Sequence, residues 1–275
     1  MKLDPRLDLD LCLNCGQLFR WRNEADVWHG YLDEHAVSIQ GHAVTSSAPA
    51  ELLEKFFAPE GDSWNVADEL AQMDPERAAV YLDPRLRGLR LLRLPNPVET
   101  TFSFLCSSNN HISRIAKMVQ TLASFGENNR FPGVEGIAEI PEIELRNRGF
   151  GYRAKTIPAV AREIVLRGGE PWLLSLSGLP YEETVAKLTD LPGIGPKLAD
   201  CIALFALGHG GAVPMDVHMW RAATEHYFPE WRGQAMTHKK SRVAGDRLRQ
   251  MFGARAGVAH HFHFVRQLLD SRPVR

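Results

Sequence analysis

The feature that most restricts the fold of this chain is a run of helical segments from Asn96 almost to the end. Apolar residues recur there at helical spacing, and short connections that contain Gly or Pro separate the segments. Asn96, Pro97 and Glu99 together have the form of a helix start, because Asn caps free N–H groups and Pro suits the first turn. We predict helices over 97–107, 112–124, 141–148, 152–168, 181–189, 196–208, 216–227, 241–252 and 255–270.

The first third of the chain has a different pattern. Short segments rich in aromatic and β-branched residues cover 19–22, 27–32 and 35–40, and charged or turn residues separate them, which is typical of antiparallel strands. We therefore predict an α+β, mostly α fold. A small N-terminal antiparallel β-sheet domain would span residues 1–95, and a larger helical domain would span 96–275.

Composition excludes several classes of protein. The 275 residues are 44% hydrophobic and 24% charged, which is ordinary for a globular chain and argues against disorder. The longest apolar run, 201–207, is far shorter than the roughly 20 residues of a membrane span. The first residues include acids and form no apolar signal core, and the four cysteines are too few for a disulfide scaffold. We expect an intracellular, reducing location, cytoplasmic in a bacterium and nuclear in a eukaryote.

The charge is divided unevenly, although the net charge is only −1. Residues 1–150 contain 15 basic and 22 acidic side chains, whereas residues 151–275 contain 17 basic and 11 acidic side chains. A polyanion would therefore dock on the C-terminal half, although two differently solvated surfaces explain the same division.

A glycine-rich turn between two predicted helices is the segment most indicative of chemistry. Gly193 and Gly195 permit a tight turn and a close approach to the backbone, and Pro196 suits the first position of the next helix. Free N–H groups of that first turn would form a phosphate site. The segment lacks the third glycine of a dinucleotide fingerprint and the Ser or Thr of a Walker loop. An ordinary αα-hairpin would account for the same residues.

This segment, over about 182–208, resembles the helix-hairpin-helix of DNA repair glycosylases, which grip the DNA backbone through main-chain amides. In that superfamily the position of Asp216 is a catalytic carboxylate, and a lysine at position 197 marks the bifunctional members. A lysine attacks only as the neutral amine, and burial favours that form more than the ~0.3–1 kcal/mol of a helix dipole. Asp216 would stabilise positive charge on the sugar, and it would also cap the helix that follows it.

Five separate stretches make the resemblance more specific. They occur in family order, span most of the chain, and resemble eukaryotic-type 8-oxoguanine DNA glycosylases: 9–21, 97–110, 149–155, 191–201 and 214–220. The resemblance implies a base excision repair glycosylase with lyase activity on 8-oxoguanine opposite cytosine. Lys197 would be the Schiff-base nucleophile, and β-elimination would then nick the strand.

The resemblance also implies a pocket for the extruded base. Gly16 would offer its carbonyl to the N7–H of 8-oxoguanine, a proton that guanine lacks, and a buried mismatch costs about 1–3 kcal/mol. Cys201 and Phe264 would pack on the two faces of the base. His260 stands where the family has a Gln that reads the Watson–Crick edge, and a neutral imidazole offers only one donor and one acceptor. A turn glycine, a helix cysteine and a core phenylalanine are the structural alternatives.

Five further positions would hold the duplex. By the same resemblance, Asn109 would fill the gap left by the base and Tyr152 would wedge the neighbouring step. Arg114 and Arg153 would contact the unpaired cytosine, and His218 would touch a phosphate. Without DNA binding, Asn109 would simply belong to a polar turn between two helices, and the two arginines would be ordinary surface residues.

No cofactor and no metal site are expected. The histidines near the C-terminus lack a matching Cys/His cluster, Cys12-x-x-Cys15 is only half of a zinc motif, and the four-cysteine iron–sulfur cluster of endonuclease III is absent. The resemblance also implies a monovalent cation on hairpin carbonyls, namely those of Thr189, Leu191 and Ile194.

Two alternatives remain open at this stage. A monofunctional alkylpurine glycosylase of the same superfamily would need Asp216 but not Lys197. A non-catalytic helix-hairpin-helix module would bind DNA in a salt-dependent manner without forming a product. In the leading interpretation the partner is double-stranded DNA that contains an oxidised purine, and the protein is a monomer that does not bind membranes.

Overall fold

The computed structural model describes residues 1–57 and 64–271, apart from the side chain of Asn129. It confirms the predicted α+β, mostly α fold. The strands are β1 (Arg22–Glu24), β2 (Val27–Leu32), β3 (His35–Gln40) and β4 (Ala43–Ser46). The helices before the hairpin are α1 (Leu9–Leu13), α2 (Ala50–Phe57), α3 (Val66–Met73), α4 (Ala78–Tyr81), α5 (Pro97–Ser107), α6 (Ile112–Ala123), α7 (Val134–Ala138), α8 (Glu142–Asn147), α9 (Arg153–Leu166) and α10 (Gly169–Ser175). The remaining helices are α11 (Tyr181–Thr189), α12 (Pro196–Phe205), α13 (Val217–His226), α14 (His238–Phe252) and α15 (Ala256–Asp270).

The sheet is an antiparallel meander in the order β1-β2-β3-β4. Trp28 faces Ile39 across β2 and β3, and alternate residues of both strands are buried, as one covered face requires. The predicted strand over 19–22 is wrong. β1 begins only at Arg22 because the Phe19 side chain turns into the helical core, where its ring lies edge-on to Phe104 at 5.9 Å.

The helix predictions differ from the structure mainly at ends and in short segments. α12 ends at Phe205 and not at 208, and Gly208 takes a positive φ of 83° just beyond it. α14 begins at His238 and not at 241, because the Thr237 side chain accepts a hydrogen bond from the Lys240 N–H and caps the helix there. Strand β4 and the short helices α1, α3, α4, α7 and α10 were not predicted, since four to eight residues show little periodicity.

Two hydrophobic cores support the fold. One lies mainly among α5 to α12, and the other joins the N-terminal sheet and its helices to α13, α14 and α15. The second core therefore crosses the position where the sequence places the domain boundary, between residues 95 and 96. That boundary remains a prediction.

A buried polar network anchors α15 to the N-terminal region. His263 Nε2 lies 2.9 Å from the Tyr227 hydroxyl and 3.2 Å from the Tyr81 hydroxyl, and Tyr227 donates to Asp74 Oδ2 at 2.8 Å. Burial lowers the pKa of His263 well below its usual value, so the ring is neutral. This histidine is a structural residue of the interface.

Within residues 1–57 and 64–271, no helix has both the length and the hydropathy that crossing a bilayer would require.

Candidate active site and DNA-facing groove

The predicted hairpin is formed by α11, a tight turn and α12. Gly193 has a positive φ of 79°, and a Cβ atom there would lie 2.6 Å from Thr156 Cγ2, so a side chain is excluded. Gly195 precedes Pro196 at the start of α12, is exposed, and has open space around it. The turn therefore presents accessible backbone N–H groups at a helix N-terminus.

This turn forms one wall of a wide groove. The groove contains about 2470 Å³ of space, including the part open to solvent, and Lys197 lines it together with both turn glycines. The opposite wall is formed by Thr237, which caps α14, and by the first residues of that helix, namely His238, Lys239, Ser241 and Arg242. Sequence reasoning did not single out α14, although the surplus of basic residues in the C-terminal half was a signal for it.

A smaller cavity, with about 350 Å³ of space including the part open to solvent, lies next to the groove, and Lys197 lines both. The cavity brings together all six residues that the sequence assigned to catalysis and to the base pocket: Gly16, Lys197, Cys201, Asp216, His260 and Phe264. Sequence reasoning missed other lining residues: Gln17, Phe104, Phe205, Pro214 and His261.

Lys197 lies half-buried in the first turn of α12. Its Nζ is 5.7 Å from the centre of the Phe104 ring, a distance at which the ring face attracts a cation. Cys201 follows one helical turn later and is buried, and its burial raises the pKa of the thiol to about 12. The thiol therefore stays protonated at neutral pH, and its sulfur is a small apolar surface beside the amine.

Asp216 both caps a helix and lines the cavity. Its Oδ1 accepts hydrogen bonds from the N–H groups of His218 at 3.0 Å and Met219 at 2.9 Å, at the start of α13. These bonds fix the orientation of the half-buried carboxylate. The capping role and the catalytic role that the sequence suggests for Asp216 are therefore compatible with one position of its side chain.

Gly16 lies in a loop that is held firmly on its C-terminal side. Its φ of +89° suits glycine, and a Cβ atom there would lie 3.3 Å from Ile112 Cδ1. The next residue, Gln17, is buried and donates to the carbonyls of Cys12 at 2.8 Å and Arg90 at 3.1 Å. The side-chain Oε1 of Gln17 accepts from the Leu92 N–H at 2.9 Å.

His260 and Phe264 stack on each other in the cavity wall, with ring centres 6.2 Å apart and planes 12° apart. Burial lowers the pKa of His260 to about 4, so its ring is neutral at physiological pH. Neither ring nitrogen makes a hydrogen bond of good geometry within the described residues, although the Pro214 carbonyl slightly favours the protonated ring. His260 can therefore offer one donor and one acceptor to a ligand.

Tyr152, Arg153 and Asn109 meet around the Ser108 carbonyl, next to the groove. Tyr152 is 57% exposed, and its hydroxyl donates to this carbonyl at 3.2 Å. Arg153 also donates to it, but its side chain is buried under the Tyr152 ring, with Cζ 4.5 Å from the ring centre. Asn109 is exposed and has a left-handed backbone with φ of +48°.

Arg114 and His218 are the two remaining predicted DNA contacts. Arg114 is exposed and donates to the Gly149 carbonyl at 3.3 Å. His218 lies in the first turn of α13, with its ring edge-on to Phe264 at 6.0 Å.

A polar brace that the sequence analysis did not find joins three helices beside Lys197. Tyr181 on α11 donates to Asp200 Oδ1 on α12 at 2.5 Å, and Arg249 on α14 donates to the Tyr181 hydroxyl at 3.0 Å. Burial raises the pKa of Asp200 to about 7. The brace ties the hairpin to the opposite wall of the groove.

Across the part of the chain that the structure describes, no three His, Cys, Asp or Glu side chains converge as a metal site requires. Cys12 has a structural role, since its sulfur accepts from the Arg90 N–H at 3.2 Å and donates to the Gly88 carbonyl at 3.4 Å.

Comparison with known proteins first establishes the class of protein. Residues 102–245, which contain the hairpin, Lys197 and Asp216, match the model of the HhH-GPD superfamily of base excision DNA repair proteins. Residues 2–101, which contain Gly16, match the N-terminal domain of 8-oxoguanine DNA glycosylase. The chain belongs to the 8-oxoguanine DNA glycosylase family of this superfamily.

Individual relatives support the same assignment. The N-glycosylase/DNA lyase OGG1 of Arabidopsis thaliana is 36% identical over 286 residues, covering 95% of this chain and 78% of the relative. The N-glycosylase/DNA lyase of Saccharomyces cerevisiae is 33% identical, covering 79% of this chain and 69% of the relative. The predicted class of enzyme, a DNA glycosylase with lyase activity, is confirmed.

A solved structure supports the assignment as well. The crystal structure of Clostridium acetobutylicum 8-oxoguanine glycosylase/lyase, in complex with double-stranded DNA containing cytosine opposite 8-oxoguanine, superposes with a TM-score of 0.81. The sequence identity is 25%, and the match covers 97% of this chain and 93% of that one.

Proposed function

We propose that this protein extrudes 8-oxoguanine opposite cytosine from duplex DNA, excises it with Lys197 as the nucleophile, and then nicks the strand. One observation carries the proposal: Lys197 lies at the border between a groove wide enough for DNA and a narrow cavity lined by Gly16 and Asp216. A base removed from the stack must enter such a cavity before chemistry can reach its sugar.

The groove would bind the DNA backbone. The amides of Gly193 and Gly195 and the basic first turns of α14 line its two walls and would hold phosphates without reading sequence. At the adjoining edge, Asn109 and the exposed Tyr152 would occupy the space that the base leaves. His218 would add a phosphate contact.

The opposite base would be read by two arginines. Arg114 and Arg153 carry donors that suit the acceptor groups of an unpaired cytosine. Arg153 would have to release the Ser108 carbonyl to use all of its donors in this way. A monovalent cation on the carbonyls of Thr189, Leu191 and Ile194 would support the hairpin and is part of the same proposal.

The cavity would recognise the lesion by hydrogen bonding and by stacking. The Gly16 carbonyl would accept from the N7–H of 8-oxoguanine, whereas guanine would present an unprotonated N7 to it, a mismatch that costs about 1–3 kcal/mol. Cys201 and Phe264 would cover the two faces of the base. The neutral ring of His260 would pair with the Watson–Crick edge in place of an amide.

The chemistry would use the two catalytic side chains and water. The lone pair of Lys197 Nζ attacks C1′ as the glycosidic bond breaks, the base leaves with the bonding electrons, and Asp216 stabilises the positive charge that develops on the sugar. The attached nitrogen gives one proton to the departing base, and the sugar ring opens as O4′ takes a proton from water. The resulting protonated imine acidifies the C2′–H bond. Loss of that proton expels the 3′ phosphate and nicks the strand, and water then hydrolyses the imine to release the enzyme.

Strand scission on defined duplexes tests the proposed substrate. We expect scission of a duplex containing 8-oxoguanine opposite cytosine, slower scission when the lesion lies opposite the other three bases, and none with guanine in its place. Faster cleavage of alkylated purines, or base release without scission, would overturn the proposal.

A further inference from the structure

The two walls of the base cavity are joined by a contact between residues that are far apart in the sequence. Cys15 Sγ lies 3.6 Å from His261 Nε2, a separation of 246 residues along the chain. Cys15 directly precedes Gly16, and His261 directly follows His260 on α15. Both side chains are buried, and His261 lines the cavity itself. The contact thus connects the loop of the lesion-reading carbonyl to the helix that reads the other edge.

The protonation states of Cys15 and His261 decide which of the two donates the hydrogen bond. Burial lowers the pKa of His261 to about 3, so the ring is neutral and has one N–H and one bare nitrogen. The Cys15 thiol donates to the Cys12 carbonyl at 3.6 Å, which leaves its sulfur to accept from His261 Nε2–H. His261 Nδ1 is then the bare nitrogen, and it has no hydrogen-bond partner within the described residues.

The Gly16 loop needs this second anchor. Gln17 fixes the loop on its C-terminal side through the bonds to Cys12, Arg90 and Leu92. On the other side, the Cys15 side chain is packed against His261. Because glycine has no Cβ, its backbone torsions rotate easily unless the chain is held on both sides, so the two anchors together hold the Gly16 carbonyl in one direction.

We propose that His261 is a positioning residue that sets the direction of the Gly16 carbonyl through Cys15 and thereby the discrimination between 8-oxoguanine and guanine. This inference depends on the proposed function, because it assumes that the carbonyl reads the N7–H of the lesion. Without the anchor the carbonyl can point away from the hydrogen-bond geometry that N7–H requires, while Lys197 and Asp216 remain in place.

Two duplex substrates distinguish recognition of the base from the chemistry of Lys197. One contains 8-oxoguanine opposite cytosine, which must be read, and the other contains an abasic site opposite cytosine, which has no base to read. Single-turnover strand scission is measured on both with Cys15→Ala and His261→Phe. We expect scission at 8-oxoguanine to fall about tenfold or more, and scission at the abasic site to stay within about twofold of wild type.

Two other variants test whether the effect is only structural. His261→Gln places an amide N–H near the position of Nε2 and should restore most of the scission at 8-oxoguanine. His263→Phe removes an equally buried histidine of the same helix that does not line the cavity, and it should leave the ratio of the two rates at the wild-type value.

Three outcomes would overturn the inference. Equal falls on both substrates with His261→Phe would indicate general damage to the fold. Undiminished scission at 8-oxoguanine with Cys15→Ala would show that the contact does not position the carbonyl. A wild-type protein that nicks the abasic duplex but not 8-oxoguanine would contradict the proposed substrate, and the inference with it.

Discussion

The base cavity and the groove share Lys197 but recognise ligands by different physics. In the cavity, burial keeps the thiol and two histidines neutral: the pKa of Cys201 rises to about 12, and the pKa values of His260 and His261 fall to about 4 and 3. In the groove, exposed glycine amides and basic side chains of α14 face solvent.

This difference separates affinity from selectivity. In the proposed function, exposed charges in the groove would interact with phosphates through the solvent, so binding there would depend on salt and not on the base. Neutral groups in the cavity would respond to the hydrogen-bonding pattern of one base and not to ionic strength. Lys197 and Asp216, the two residues proposed for catalysis, line the same cavity.

The largest effect below the loss of Lys197 itself is expected at Asp216. Asp216→Asn keeps an oxygen that caps α13 but removes the negative charge near the sugar. We expect the single-turnover excision rate to fall about 10²–10³-fold while affinity for duplex DNA stays near wild type, because the charge acts on the developing cation. An excision rate within about fivefold of wild type would assign Asp216 to capping alone.

Because two histidines of the cavity are neutral in the folded protein, we expect its free energy of unfolding to decrease in acid. Their folded pKa values lie below the value of about 6.5 for unfolded chains, so protons bind first to the unfolded state and stability is lost as the pH falls below 6.5. Each such histidine contributes a loss of up to about 1.4 kcal/mol per pH unit. Urea unfolding at pH 7.5 and pH 5.0 measures this loss.

Urea unfolding of the His261→Phe variant isolates the contribution of one histidine. His261→Phe removes one titrating group, so its stability should fall less steeply between pH 7.5 and pH 5.0 than that of the wild type. An identical slope would show that His261 is not buried in its neutral form.

The smallest expected effect concerns the groove. Lys239→Gln should weaken binding a few-fold and equally for damaged and undamaged duplexes, and it should reduce the slope of log affinity against log salt by about one. Lys55→Gln, at an exposed lysine of α2 outside the groove, is the matched control and should change neither quantity. A loss confined to 8-oxoguanine duplexes would assign Lys239 to base recognition.

Local patterns in the sequence were enough to predict some of these features but not others. Lys197 and Gly195 belong to a short turn motif, and the capping position of Asp216 follows from the apolar helix after it. The Cys15 contact with His261 could not be predicted, because it depends on how two distant segments meet in the folded chain. The contribution of α14 to the groove was missed for the same reason.

The wrongly predicted strand over 19–22 also reflects contacts between distant parts of the chain. Phe19 and Arg20 have the residue types of a strand, but tertiary packing decides their conformation, since both side chains are buried and Phe19 joins the helical core. The meander β2-β3 was predicted correctly because its alternation reflects one buried face of one sheet.

Reductive trapping tests most directly whether Lys197 is the nucleophile. With borohydride and a duplex containing 8-oxoguanine opposite cytosine, the wild-type protein should form a covalent DNA adduct that peptide mapping locates at Lys197. Lys197→Gln should form none, and Lys187→Gln, at a half-buried lysine of α11 outside the cavity, should form the wild-type amount. The absence of an adduct with the wild type, or an undiminished adduct with Lys197→Gln, would contradict the account.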